Sequence, residues 1–120
     1  MTKRAEVKWS EQPAEDDYPA AASYLLLHFD GKDAAKLVKR LRKAEVLELK
    51  AVDLFRATGL EFTRSHIDKD RRKILAGKKI SPLLLVRDSG HGKAIMADGY
   101  HRLCAVYSLN TEGPIRCKIV

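Results

Sequence analysis

Apolar residues recur at the three-and-four spacing of amphipathic helices through the first part of the chain. This spacing predicts a first helix over about 18–29. It predicts a second helix that begins at Asp33, with apolar residues on one face and lysines and arginines on the other. A third helix near 50–58 is expected to end at Gly59, because glycine readily takes the left-handed conformation found at helix ends. A fourth, short helix is expected over about 68–76.

The pattern changes to that of strands in the last third of the chain. The continuous apolar run 80–87 has strand length and predicts a strand buried on both faces. Turn-forming residues follow, and 93–97 predicts the returning strand of a hairpin. A helix is expected over about 100–109. Alternating apolar residues then predict a final strand over 115–119, with one buried face and Lys118 on the other.

This order of elements predicts an α+β fold, a small mixed β-sheet packed with helices and preceded by a helical N-terminal extension. We divide the chain into a flexible polar arm over 1–17, a helical extension over 18–63 and an αβ unit over 64–120. A chain of 120 residues is long enough to bury one core, so the three parts are expected to form one compact domain.

The composition argues against a membrane-spanning or secreted protein. No apolar run approaches the roughly 20 residues that span a bilayer, and no apolar stretch follows the N-terminal charges as in a secretory signal. A cytoplasmic protein without a membrane partner is therefore expected. Cys104 and Cys117 form no short-spaced pair and the four histidines are scattered, which predicts buried, reduced thiols and no metal site.

Positive charge is concentrated in the middle of the chain. The net charge is +7, but residues 32–93 alone carry 17 basic and eight acidic side chains. Such a segment attracts polyanions, although a solvated helix face gives the same pattern. The densest part, 64–79, supplies the candidate nucleic-acid-binding residues: Arg64, Lys69, Arg71, Arg72, Lys73, Lys78 and Lys79.

The turn Asp98-Gly99-Tyr100-His101-Arg102 is the candidate site for an anion. The first turn of a helix presents unpaired N–H groups and a partial positive charge, and Gly99 lets a phosphate approach without a Cβ in the way. The candidate phosphate- or nucleotide-binding residues are Gly99, Tyr100, His101 and Arg102, and the candidate catalytic residues are Asp98 and His101. The competing interpretation is structural, with Asp98 capping the helix and Arg102 in a salt bridge.

The same turn carries a family resemblance. From about residue 66 to the end, the order of elements resembles that of the ParB/sulfiredoxin superfamily. Gly99, Arg102 and Ala105 match the glycine-x-x-arginine-x-x-alanine signature of ParB-type domains. Gly99, His101 and Arg102 match the glycine-cysteine-histidine-arginine motif of sulfiredoxins.

A related group of free-serine kinases carries aspartate-glycine-x-x-arginine, which Asp98, Gly99 and Arg102 match. In all three groups this turn contacts nucleotide phosphates, so the resemblance implies a ParB/sulfiredoxin-like unit that binds phosphate here. Tyr100 occupies the position of the sulfiredoxin catalytic cysteine, so sulfinic acid reduction is not expected. Because the sequence stops at Val120 without a helix-turn-helix domain, a centromere-binding partition protein is not expected either.

Three functions remain compatible with the sequence. The first is a stand-alone domain that binds a nucleotide or nucleic-acid phosphate at Asp98–Arg102, with hydrolysis of that phosphate as its enzymatic version. A nucleoside triphosphate with Mg²⁺ is the cofactor that such chemistry would use. The second is a non-enzymatic DNA- or RNA-binding module that uses the basic 64–79 surface. The third is a protein-interaction adaptor on the same fold. The sequence identifies neither a protein partner nor an oligomeric state.

Overall fold

The computed structural model describes residues 5–120. The elements in chain order are β1 (Lys8–Trp9), α1 (Asp17–Leu25), α2 (Gly31–Lys43), β2 (Leu47–Lys50), α3 (Ala51–Thr58), α4 (Asp68–Leu75), β3 (Lys79–Ile80), β4 (Leu83–Asp88), β5 (Lys93–Asp98), α5 (Tyr100–Leu109) and β6 (Pro114–Ile119). A short 3₁₀ turn at Ser89–His91 joins β4 to β5.

Four of the strands form one mixed sheet in the order β2-β6-β4-β5. Strand β6 runs parallel to β4, whereas the β2–β6 and β4–β5 pairs are antiparallel. A parallel pair needs a crossover connection, and here β5 and α5 provide it. The prediction of an α+β fold with a small mixed sheet is confirmed.

Helices cover both faces of this sheet. Leu83 and Leu85 of β4 pack in a cluster with residues of α3, α4 and α5. Leu84 and Val86 pack in a second cluster with residues of α1 and α2. Because successive strand residues point to opposite faces, a strand between two helical layers must be apolar at every position. The predicted burial on both faces is confirmed for Leu83–Val86, whereas Ser81 and Pro82 lie outside β4 and Arg87 is exposed.

The helices lie close to their predicted positions, with differences at their ends. Helix α3 ends before Gly59, whose φ of 72° is left-handed as expected. Helix α1 stops at Leu25, short of Phe29. The chain has to turn before Asp30, whose side chain accepts a hydrogen bond of 2.8 Å from the Asp33 N–H and so begins α2 earlier than predicted. None of the described helices is long and apolar enough to cross a membrane.

The segment 18–63 was predicted to be a helical extension. This prediction is wrong for Leu47–Lys50, which form the strand β2. This strand pairs with β6 and is an edge of the main sheet, with Leu47 opposite Cys117 and Leu49 opposite Ile115. It has four residues, is mostly exposed and leads directly into α3, so its periodicity is too short to separate it from a helix. The N-terminal segment is therefore part of the same sheet and not an appendage.

The N-terminal arm also differs from its prediction. Lys8 and Trp9 pair in parallel with Lys79 and Ile80, and the Ser10 N–H donates a hydrogen bond of 2.8 Å to the Ile80 carbonyl. Trp9 is half-buried and packs against the cluster that contains β4, which gives the arm an apolar anchor. The first four residues of the predicted arm lie outside the described residues.

Lys118 was predicted to face solvent, and this is wrong: its side chain is buried. Strand β6 is central in the sheet, with Cys117 packed in the cluster of α3, α4 and α5 and Lys118 on the opposite face, against Tyr18 of α1 and Arg42 of α2. The Lys118 ammonium donates to the Tyr18 hydroxyl at 3.1 Å and to the Arg42 carbonyl at 3.0 Å. These hydrogen bonds are what make its burial tolerable, because a buried charge without partners is costly.

Candidate functional site

Gly99 forms the turn between β5 and α5 and has φ of 112°, a conformation that other residues rarely adopt. A Cβ added here would lie 2.6 Å from Leu83 Cγ and 3.0 Å from Arg102 Nη2. The glycine is therefore required by close packing against β4 and Arg102, which is a structural reason in addition to the predicted approach of a phosphate.

Arg102 forms the centre of an ion-pair network. Its Nη2 donates to Asp98 Oδ2 at 2.9 Å, and its Nη1 lies 3.6 Å from Asp17 Oδ1. The three side chains retain only 14–21% exposure. The competing structural interpretation is thus correct for the Arg102–Asp98 salt bridge, whereas no side chain within residues 5–120 caps α5.

Burial raises the pKa of Asp98 above its usual value, and Arg102 opposes this rise because its positive charge and hydrogen bond stabilise the carboxylate. The nearby Asp17 carboxylate raises the pKa of Asp98 further, as a second negative charge must. Arg102 is therefore the group that allows two carboxylates to lie together at this turn.

His101 is exposed and lies among aromatic rings. Its ring centroid is 5.8 Å from that of His66 and 5.2 Å from that of Tyr100. Tyr100 is fixed by its hydroxyl, which donates to the Glu61 carbonyl. His66 has a left-handed φ of 61°. The loop before α4 is thereby brought beside the first turn of α5.

These residues surround a polar cleft of about 210 Å³ at the beginning of α5, lined by Asp70, Asp98, Gly99, Tyr100, His101 and Arg102. All five residues predicted for the turn line it. Asp70 was missed, because a carboxylate in the first turn of α4 is an ordinary feature of helices. Within residues 5–120 no cluster of three or more His, Cys, Asp or Glu side chains could hold a metal ion alone.

The predicted basic segment lies on α4, on β3 and in the loops beside them. Lys69, Arg72 and Lys73 are three and four positions apart, so they share the face of α4 opposite its buried Ile74. Arg71 turns inward and donates to Ser108 on α5. The other six basic residues of this segment form no ion pair and no side-chain hydrogen bond with another side chain within the part of the chain that the structure describes.

Neither thiol lines the cleft. Cys104 and Cys117 are free and fully buried, as predicted. Burial raises the pKa of Cys117 to about 11, so this thiol stays protonated at neutral pH. Neither side chain is placed to react with a ligand at the turn.

Comparisons with protein-family models, with curated proteins and with solved structures gave no match to this chain. The resemblance to the ParB/sulfiredoxin superfamily stays a prediction from the residues of the turn and the order of elements.

Replacing Gly99 by alanine should lower the free energy of unfolding by about 3 kcal/mol, because the new Cβ meets both a left-handed backbone and Leu83. Gly90→Ala is the matched control, since no atom lies within 4 Å of its added Cβ and its φ is not left-handed. This control should change the stability by less than about 0.5 kcal/mol. Urea unfolding of both variants measures the difference, and equal stabilities would refute the packing argument.

Proposed function

We propose that this chain binds a phosphate group of a nucleotide or nucleic acid in the cleft at the beginning of α5. The observation that carries the proposal is the combination of an uncapped helix N-terminus with an exposed imidazole at the same cleft. The first-turn N–H groups of an uncapped helix have no partner within the helix and bind anions well. His101 adds a side-chain donor beside them.

The charges of the cleft favour a phosphate that arrives with a divalent cation. Asp70 and Asp98 contribute two carboxylates and Arg102 one guanidinium, so a bare anion meets no excess of positive charge. Mg²⁺ is commonly bound by one or two carboxylates together with substrate phosphates. Asp70 and Asp98 both line the cleft and would supply such carboxylates, and the cation would neutralise phosphate charge.

Arg102 has a different role in this proposal from the one predicted from sequence. Both ends of its guanidinium lie beside carboxylates, so it positions Asp98 and leaves direct phosphate contact to His101 and the backbone. The catalytic roles of Asp98 and His101 stay predictions, and the proposal is one of binding.

Replacing His101 by alanine should weaken nucleotide binding by about ten- to a hundredfold, because a hydrogen bond to a charged phosphate contributes roughly 1.5–3 kcal/mol. The measurement is the thermal stabilisation given by ATP, ADP, CTP and GTP, each with and without Mg²⁺. A ligand at one hundred times its dissociation constant stabilises the folded state by about 2.7 kcal/mol.

His91→Ala is the control, since this exposed histidine pairs with Asp88 at the far end of the β4–β5 hairpin and does not line the cleft. It should bind like the wild type. The proposal fails if no nucleotide raises the melting temperature, or if His101→Ala binds as tightly as the control.

A second candidate function is binding of the nucleic-acid backbone along α4. The observation that favours it is the outward face formed by Lys69, Arg72 and Lys73, which lack carboxylate partners among the described residues. Cations of this kind bind backbone phosphates and release counterions, which makes binding strongly dependent on salt.

Removing these three charges together, by Lys69→Ala, Arg72→Ala and Lys73→Ala, should reduce the slope of log affinity against log salt by about 0.9 per lost phosphate contact. The control removes the same charge from the exposed face of α2, by Lys36→Ala, Lys39→Ala and Arg40→Ala. Fluorescence anisotropy with a short DNA duplex measures both slopes. Equal slopes for the two triple variants would mean that α4 is an ordinary solvated helix.

A further inference from the structure

The polar cleft at the beginning of α5 adjoins a second depression of about 330 Å³ that runs along β5 towards α1. The two share Asp98, Gly99, Tyr100 and His101, so a ligand can extend from one into the other. The remaining walls are almost entirely apolar or aromatic: Ala20, Tyr24, Leu60, Met96 and Ala97. We call this depression the β5 groove.

Tyr24 forms the outer wall of the β5 groove. It lies on α1 between Ala21 and Leu25, both buried, yet its own side chain stays 40% exposed. Its ring centroid lies 5.3 Å from that of His28. Beyond Tyr24 lies another depression, of about 420 Å³, which shares Tyr24, Leu60 and Met96 with the β5 groove. The groove therefore adjoins a depression at each of its two ends.

These walls suit the faces of a flat aromatic ring system. Aromatic rings stand at both ends, Tyr24 with His28 on one side and Tyr100 with His101 on the other. Leu60 and Met96 supply apolar contact between them. Nucleobases stack on aromatic side chains whatever their sequence, because every base has a π-face.

We propose that the β5 groove is a nucleobase subsite, in which the base stacks on Tyr24 while its phosphates lie at the beginning of α5. This inference rests on the proposed phosphate site and adds the substrate class. The ligand is a free nucleotide or an unpaired terminal nucleotide, since the faces of a base inside a duplex are covered by its neighbours. Tyr24 lies on α1, outside the region that carries the family resemblance.

The test compares nucleoside triphosphates with inorganic tripolyphosphate, which carries the phosphates without a base. Isothermal titration in Mg²⁺ should show that at least one of ATP, GTP, CTP and UTP binds about tenfold more tightly than tripolyphosphate, the gain expected from stacking one base. Tyr24→Ser should remove this preference and leave the affinity for tripolyphosphate unchanged. Tyr24→Phe keeps the ring and should bind like the wild type.

Leu27→Ser is the matched control, because Leu27 follows α1, is 78% exposed and does not line the groove. It should retain the preference for the nucleotide. Far-ultraviolet circular dichroism establishes that each variant is folded.

The outcomes separate this inference from the proposed function. If tripolyphosphate and all four nucleotides bind equally, and His101→Ala weakens them all, the phosphate site stands and the base subsite is refuted. If Tyr24→Ser keeps the full preference for a nucleotide, the base lies elsewhere and the inference is wrong. If neither tripolyphosphate nor any nucleotide binds, both proposals fail together.

Discussion

The ion-pair network of Asp17, Arg102 and Asp98 is the interaction on which the architecture of the cleft depends. It joins α1, from the N-terminal part of the chain, to the turn after β5. Because its members are largely shielded from water, the loss of Arg102 would leave two carboxylates facing each other without compensation. The guanidinium therefore fixes the position of α1 beside the turn, and with it the walls of the β5 groove.

The same network explains how Gly99 and β4 are connected to the cleft. Gly99 packs between Leu83 and Arg102, and Leu83 lies at the start of β4, which both helical layers cover. The backbone of the turn is thus fixed by core packing on one side and by charge on the other. Such a rigid turn keeps the first N–H groups of α5 and the ring of His101 in a constant relation, which ligand binding requires.

Much of the fold was predictable where a single physical signal dominated. The uninterrupted apolar run gave β4, and the abrupt Asp98-Gly99 step gave the start of α5. The missed elements depend on contacts between distant residues: β2 exists because β6 offers it a partner, and the pairing of Lys8 with Lys79 orders part of the arm. At the site, the residues of the turn were predictable, but Asp17, Asp70 and Tyr24 were not, because only the folded chain brings them there.

The most direct measurement is the backbone N–H spectrum of ¹⁵N-labelled protein during titration with the Mg²⁺ complex of the tightest-binding nucleotide. The account predicts the largest chemical-shift changes at Tyr100, His101 and Arg102, with smaller ones at Tyr24, because these groups would contact the phosphates and the base. Changes confined to the outward face of α4, with those N–H signals unmoved, would contradict it and assign the binding of anions to the basic surface instead.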